Sequence, residues 1–204
     1  IQVQGNTNMF GLVYTPWSTG RGMTKSMTGS FYLTETTQLP AGSTSGTRVT
    51  STVDLSSYVN VPTGQAIAIE SVDFIVQSGI DFAAAGNTMV LGDGAISFQL
   101  VDLNPGTAFV RADNHSLVAS GALNVDFTNN VLSHNTDLYP DNFGPSSLSE
   151  AFLVVNDTLY LTAGVDSTTT SASVQFITAR IRCRVVKLST KDWMAIAIQS
   201  TASE

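Results

Sequence analysis

The stretch ITARIRCRVVKL, residues 177–188, decides the fold class. In an extended strand the rise is ~3.3 Å per residue and side chains alternate between faces. Arg180, Arg182 and Arg184 then stand in a row on one face, while Ile177, Ala179, Ile181, Cys183 and Val185 line the other. One face is built for a core and the other for something anionic. Six of the nine basic residues are Arg, and half of those six fall in this strand. Arginine's planar fork binds carboxylate or phosphate in two-point fashion, which suits a subunit interface or packaged nucleic acid. The alternative is a strand whose arginines meet acids on adjacent strands, at ~0.2–1 kcal/mol per pair. An interface with another subunit is the preferred reading, because three arginines make a poor nucleic-acid footprint on a chain of net charge −7.

The rest of the composition agrees with a strand-rich protein. Charged residues make up 12% of the 204, about half of the ~25% usual in soluble domains. The polar surface comes instead from 25 Thr and 23 Ser. Threonine is β-branched and suits a pleated surface. Few charges also suit an exterior covered by neighbouring copies, where buried charge is costly. One cysteine excludes an internal disulfide, and Cys183 lies on the apolar side of its strand as a small buried hydrophobe. No apolar run reaches the ~18 residues needed to cross a bilayer as a helix. The sequence opens at Ile1 with no signal-peptide pattern. Two sequons, at Asn114 and Asn156, are chance matches in so Ser/Thr-rich a chain.

Along the chain, residues 1–30 carry Phe10, Tyr14, Trp17, Met23 and Met27 without a period, which reads as an extended arm docked on the domain or a neighbour. Residues 31–39 and 47–55 read as strands. Residues 64–79 hold two alternations whose phase slips near Glu70 and Ser71, the mark of a β-bulge. A strand is expected from Ala95, with short strands in "AFVRA" (108–112) and "SLVASGALNV" (116–125). Residues 128–149 read as a long polar loop, with one helical turn near Leu148–Phe152. "AFLVVNDTLYLTAGV" reads as a strand pair turning at Asn156-Asp157, then comes a long strand over 172–188, and "DWMAIAIQS" reads as a final strand. Eight to ten short strands at intervals near 8–12 residues predict an all-β fold. The expected form is a two-sheet antiparallel jelly-roll sandwich over residues 31–204 with an extended N-terminal arm over 1–30.

No catalytic, cofactor or metal group is expected. His115 and His134 have no partner motif, and nucleophile-elbow, Walker and dinucleotide signatures are missing. Nothing singles out a carboxylate pair among Glu35, Glu70 and Glu150. The run Asp102–Asp113 fails as an EF-hand loop, with Thr107 where Gly and Asp113 where Glu are required. Asp137, Asp141 and Asn142 could offer calcium oxygen ligands, without specific spacing. A non-enzymatic, structural protein is therefore expected.

The Gly/Thr-rich arm, the strand series from "GSFYLTETTQL" onward and "SASVQFITARIRCRVVKL" followed by "DWMAIAIQS" together resemble small viral capsid proteins of the single jelly-roll kind. The resemblance rests on architecture across nearly the whole chain, with no signature motif. It implies self-assembly into an icosahedral shell, location in the virion, and copies of the same chain and other virion proteins as partners. Phe10, Tyr14, Trp17, Arg180, Arg182 and Arg184 are then candidate subunit-interface residues. Basic genome-binding arms are common among such proteins. Here residues 1–30 hold only Arg21 and Lys25, so strong nucleic-acid binding by the arm is not expected. Two other classes share the texture. One is a β-sandwich subunit of an extracellular fibre or cell-surface layer that assembles by strand donation. The other, ranked third, is a carbohydrate-binding module, disfavoured because Trp17 and Trp193 are isolated near the ends.

Overall fold

A computed structural model describes residues 25–79, 86–136 and 152–201. The alternating segments form, in chain order, β1 (Lys25–Ser26), β2 (Phe31–Leu39), β3 (Arg48–Asp54), β4 (Gln65–Ser78), the one-turn helix α1 (Gly86–Met89), β5 (Gly94–Val101), β6 (Leu117–Asp126), β7 (Val131–Thr136), β8 (Phe152–Val154), β9 (Thr158–Asp166), β10 (Gln175–Lys187) and helix α2 (Thr190–Thr201). In the first sheet β10 lies between β4 and the pair β1 and β2, with β8 beyond β4. The second sheet has the order β3-β9-β5-β6-β7.

The pairings are nested. β5 pairs with β6, β4 with β8, β3 with β9 and β2 with β10, all antiparallel. An eight-stranded ribbon folded once at its middle and wrapped round a core gives that nesting, so the expected jelly roll is found. β1 and β7 are additions at the margins. Between the sheets lie Leu39, Ile67, Ile69, Ile96, Phe98, Leu100, Leu159, Leu161, Ile177 and Ile181, all fully buried. Burial of each such side chain stabilises the fold by roughly 1.5–3 kcal/mol. The inward row of β10 supplies Ile177, Ala179, Ile181, Cys183 and Val185 to this core, as its alternation predicts.

Several local expectations are corrected. "DWMAIAIQS" is the helix α2, not a strand. Ser189 caps it: its hydroxyl accepts from the Asp192 amide (3.2 Å) and donates to the Asp192 carboxylate (2.6 Å). Trp193, Ile196 and Ala197 then share one helical face and pack on Ala66, Ala68, Val186 and Leu188, on the outer side of the first sheet. "AFVRA" forms no strand, because the Gln99 side-chain amide takes both backbone groups of Val110, at 2.9 and 2.8 Å. The supposed loop from residue 128 contains β7. It is reached by a turn in which the Asp126 carboxylate accepts from Asn129 and Asn130 sits at φ 53°. Phe152 belongs to a strand rather than a helical turn, and residues 148–151 lie outside the described residues. β8 and β9 are no hairpin either, since each joins a different sheet. The Asn156 amide donates to the Asp102 carbonyl at the crossing (3.0 Å).

Candidate functional site

β10 sits at the centre of the first sheet, so each outward side chain on it faces β2 or β1 on one side and β4 on the other. Arg182 lies opposite Tyr32 and Ser71, and Arg180 opposite Thr34 and Asp73. Between Arg182 and Cys183 the register with β4 shifts by one residue, and Glu70 is the residue left over. This is the bulge expected from the phase slip. A bulge sets two consecutive residues against one, so Glu70 and Ser71 both turn outward. Ala66 and Ala68 precede them on that face, and Asp73 and Ile75 follow.

The extra carboxylate is where the arginine row finds its charge. Glu70 is 4% exposed. Arg182 Nε approaches one carboxylate oxygen at 3.0 Å and Arg184 Nη1 the other at 3.3 Å. The Ser30 hydroxyl lies 2.9 and 3.0 Å from the two oxygens. Arg184 is itself largely buried, and its Nε and Nη2 have no partner among the described residues. Arg180 stays exposed, with its guanidinium 5.2 Å from the Tyr32 ring centroid. The row is thus divided. Two arginines neutralise a carboxylate of their own sheet, and Arg180 faces outward.

The same cluster holds residues 25–30, the described part of the segment expected to be an arm. Lys25 and Ser26 pair with Lys187 and Val186, continuing the edge of β10 past the end of β2. The Met27 amide donates to the Val185 carbonyl (2.9 Å), and the Val185 amide donates to the Thr28 hydroxyl (3.0 Å). Ser30 then reaches Glu70. Residues 25–30 are a root fastened to β10 before the chain enters β2. Phe10, Tyr14 and Trp17 lie outside the described residues, as do Asp137, Asp141 and Asn142.

Beneath the cluster, Cys183 is fully buried and its thiol is pushed up to about 12, by burial first and then by the Glu70 charge. It remains a protonated core side chain. Among the described residues no group of three or more His, Cys, Asp or Glu is placed to hold a metal ion. None of their helices is long and apolar enough to cross a membrane. The partner role of Glu70 was missed in the sequence, although it is the charged residue at the phase slip and has the parity of an outward side chain.

No protein-family model matches the chain, and no curated protein matches it in sequence. Among solved structures, one of Desmodium yellow mottle tymovirus is 9% identical, with 93% of this chain and 95% of that chain covered, at a TM-score of 0.28. One of Cocksfoot mottle virus is 12% identical, with 93% and 99% covered, at a TM-score of 0.29. Likenesses that slight leave the fold to rest on the nested strand pairing itself.

Proposed function

We propose that this chain is a structural, non-enzymatic subunit that assembles with copies of itself into a virus capsid shell, and that it resides in the virion. The observation that carries the reading is the fastened root of the arm. Residues 25–30 are stitched to β10 by backbone pairing and by Thr28, and to β4 by the Ser30–Glu70 contact. The segment that carries Phe10, Tyr14 and Trp17 is thus joined to the domain through a fixed point, which suits a tie between neighbouring subunits. The surface supports the same reading. Tyr32, Val61, Leu91, Phe127, Val131 and Met194 are exposed large hydrophobic residues on a domain poor in charge, apolar area that a subunit contact would cover. Arg180, exposed beside Tyr32, is the arginine available to a neighbour, whereas Arg182 and Arg184 act in such a contact through the Glu70 cluster.

Negative-stain electron microscopy with light scattering on the same purified sample tests this. Closed particles of uniform diameter are expected. Filaments or flat lattices would replace the shell with the fibre or surface-layer reading. A 21.6 kDa monomer at every concentration would end both.

A further inference from the structure

We propose that β3 is a self-pairing edge, through which two copies of this chain join their second sheets into one continuous sheet about a two-fold axis at Ser51. This deepens the assembly reading above and rests on it for the premise that the chain associates with itself.

β3 ends the second sheet and, among the described residues, pairs only with β9. The Val165 amide donates to the Thr47 carbonyl (3.2 Å) and the Leu55 amide to the Asp157 carbonyl (2.7 Å). The odd-numbered residues of β3 therefore direct their backbone groups toward β9. In an antiparallel ladder the direction alternates, so Arg48, Thr50, Thr52 and Asp54 present theirs to the open edge. Edges are normally blunted by Lys, Pro, a bulge or brevity. β3 has seven residues, with no Lys, no Pro and a register unbroken along β9. β8, at the margin of the first sheet, has only three.

The sequence identifies the occupant of this edge as a second copy. Val49-Thr50-Ser51-Thr52-Val53 is a palindrome, flanked by Arg48 on one side and Asp54 on the other. Antiparallel self-pairing centred on Ser51 sets Thr50 opposite Thr52, Val49 opposite Val53, and Arg48 opposite Asp54. No like charges meet along the seam. Each of the four outward-facing residues then meets an outward-facing partner, which gives about eight backbone hydrogen bonds at two per facing pair. Threonine pairs across strands already occur in this sheet, where the Thr50 and Thr162 hydroxyls are 3.0 Å apart.

A second observation falls on the axis. The Ser51 hydroxyl oxygen is buried and has no hydrogen-bond partner among the described residues. In this register Ser51 meets Ser51 in a non-hydrogen-bonded pair, where Cα atoms come within ~4.5 Å. The two hydroxyls can then bond to each other across the two-fold. That spacing also suits a disulfide.

Two variants of the full chain test the seam. Ser51→Cys should give a covalent dimer under mild oxidation at least tenfold faster than Thr128→Cys in the exposed β6–β7 turn. Background from Cys183 is not expected, since it is fully buried. Thr50→Pro removes an amide that points away from β9, so the native ladder survives while the ring blocks the seam. It should leave the melting curve within a few degrees of wild type and weaken dimerisation, read by sedimentation, at least 100-fold. If wild type assembles but Ser51→Cys fails to cross-link and Thr50→Pro assembles normally, the seam is wrong and the assembly reading stands. If wild type is monomeric at all concentrations, both fall. Hydrogen-exchange protection of the Thr50 and Thr52 amides in a sample that sediments as monomer would assign the edge to another segment and overturn the proposal.

Discussion

Replacing Glu70 by Gln keeps the shape of the side chain and removes the charge that two guanidinium groups share. The consequences for those groups differ. Arg182 is 42% exposed on its side chain and can turn toward water, whereas Arg184, at 14%, cannot. The variant therefore leaves one buried cation without its counter-charge, a defect that costs about 3–5 kcal/mol in comparable sites. We expect about 3 kcal/mol, because Gln still offers one oxygen to Ser30 or Arg184. For a domain of this size each kcal/mol moves Tm by about 2–4 °C, which predicts a fall of about 6–12 °C. Urea unfolding of dilute, unassembled protein measures it, since association would add a concentration-dependent term. Adding Arg184→Met to Glu70→Gln removes both halves of the defect and should recover most of the loss, whereas Arg182→Met should not. A Glu70→Gln cost under 1 kcal/mol, or equal rescue by the two arginine replacements, would refute the assignment of Arg184 as the buried, dependent partner.

Asp102 is 2% exposed, and burial raises its carboxyl from 3.8 to about 6, a backbone hydrogen bond offsetting this in part. The folded state therefore holds this proton more tightly than the unfolded one between those pH values. Stability from this group is present below about pH 4 and lost as pH rises through about 6, with a ceiling of roughly 3 kcal/mol. Asp102→Asn should flatten that part of the profile in urea titrations at pH 4.5 and 7; a parallel profile would refute it. Ser189→Ala removes the cap of α2 and should cost about 1 kcal/mol. Fraying of the first turn should shift Trp193 fluorescence to the red, and an unchanged spectrum would count against the cap. Gly164→Ala would set a new methyl group against the Arg48 side chain and 2.8 Å from the Thr47 carbonyl. It should destabilise by about 1–3 kcal/mol and loosen the Arg48–Asp166 pair (2.7 Å), which a salt-dependent melting series would read. Cys183, buried and with its thiol raised, should react with a thiol reagent at pH 8 only as fast as the protein unfolds; rapid labelling of the native chain would contradict its burial.

The strands were legible where one face is buried and the other wet. "FYLTETTQL" became β2 with no change of bounds, and the arginine strand alternated as read. The bulge was legible too, because an inserted residue reverses parity and parity is written in the sequence. α2 was not, because Met194-Ala-Ile-Ala-Ile198 is apolar throughout and suits a strand as well as a helix; the capping serine was the signal overlooked. "AFVRA" had strand texture, but a glutamine side chain rather than a neighbouring strand satisfies its backbone, and long-range choices of that kind leave no local mark. For the arginines, the sequence showed that they needed carboxylates but not whose. Glu70 and Arg184 are 114 residues apart (184 − 70) and meet only once β4 and β10 pair.

The central position of β10 also governs when the fold can exist during synthesis. β1 and β2 meet the first sheet only through β10, and β4 reaches them only through it; β10 is also the last strand in chain order among the described residues. A chain emerging from the ribosome can form the ladders of β5 with β6 and β6 with β7, then those of β9. β2 meanwhile waits unpaired for a strand whose partner residues lie about 136 to 152 positions downstream (175 − 39 and 183 − 31). Contacts that distant form slowly and late. The arm root and the Glu70 cluster come into being in that same final step. A chain that stops before β10 therefore lacks both the finished first sheet and the fastened segment 25–30.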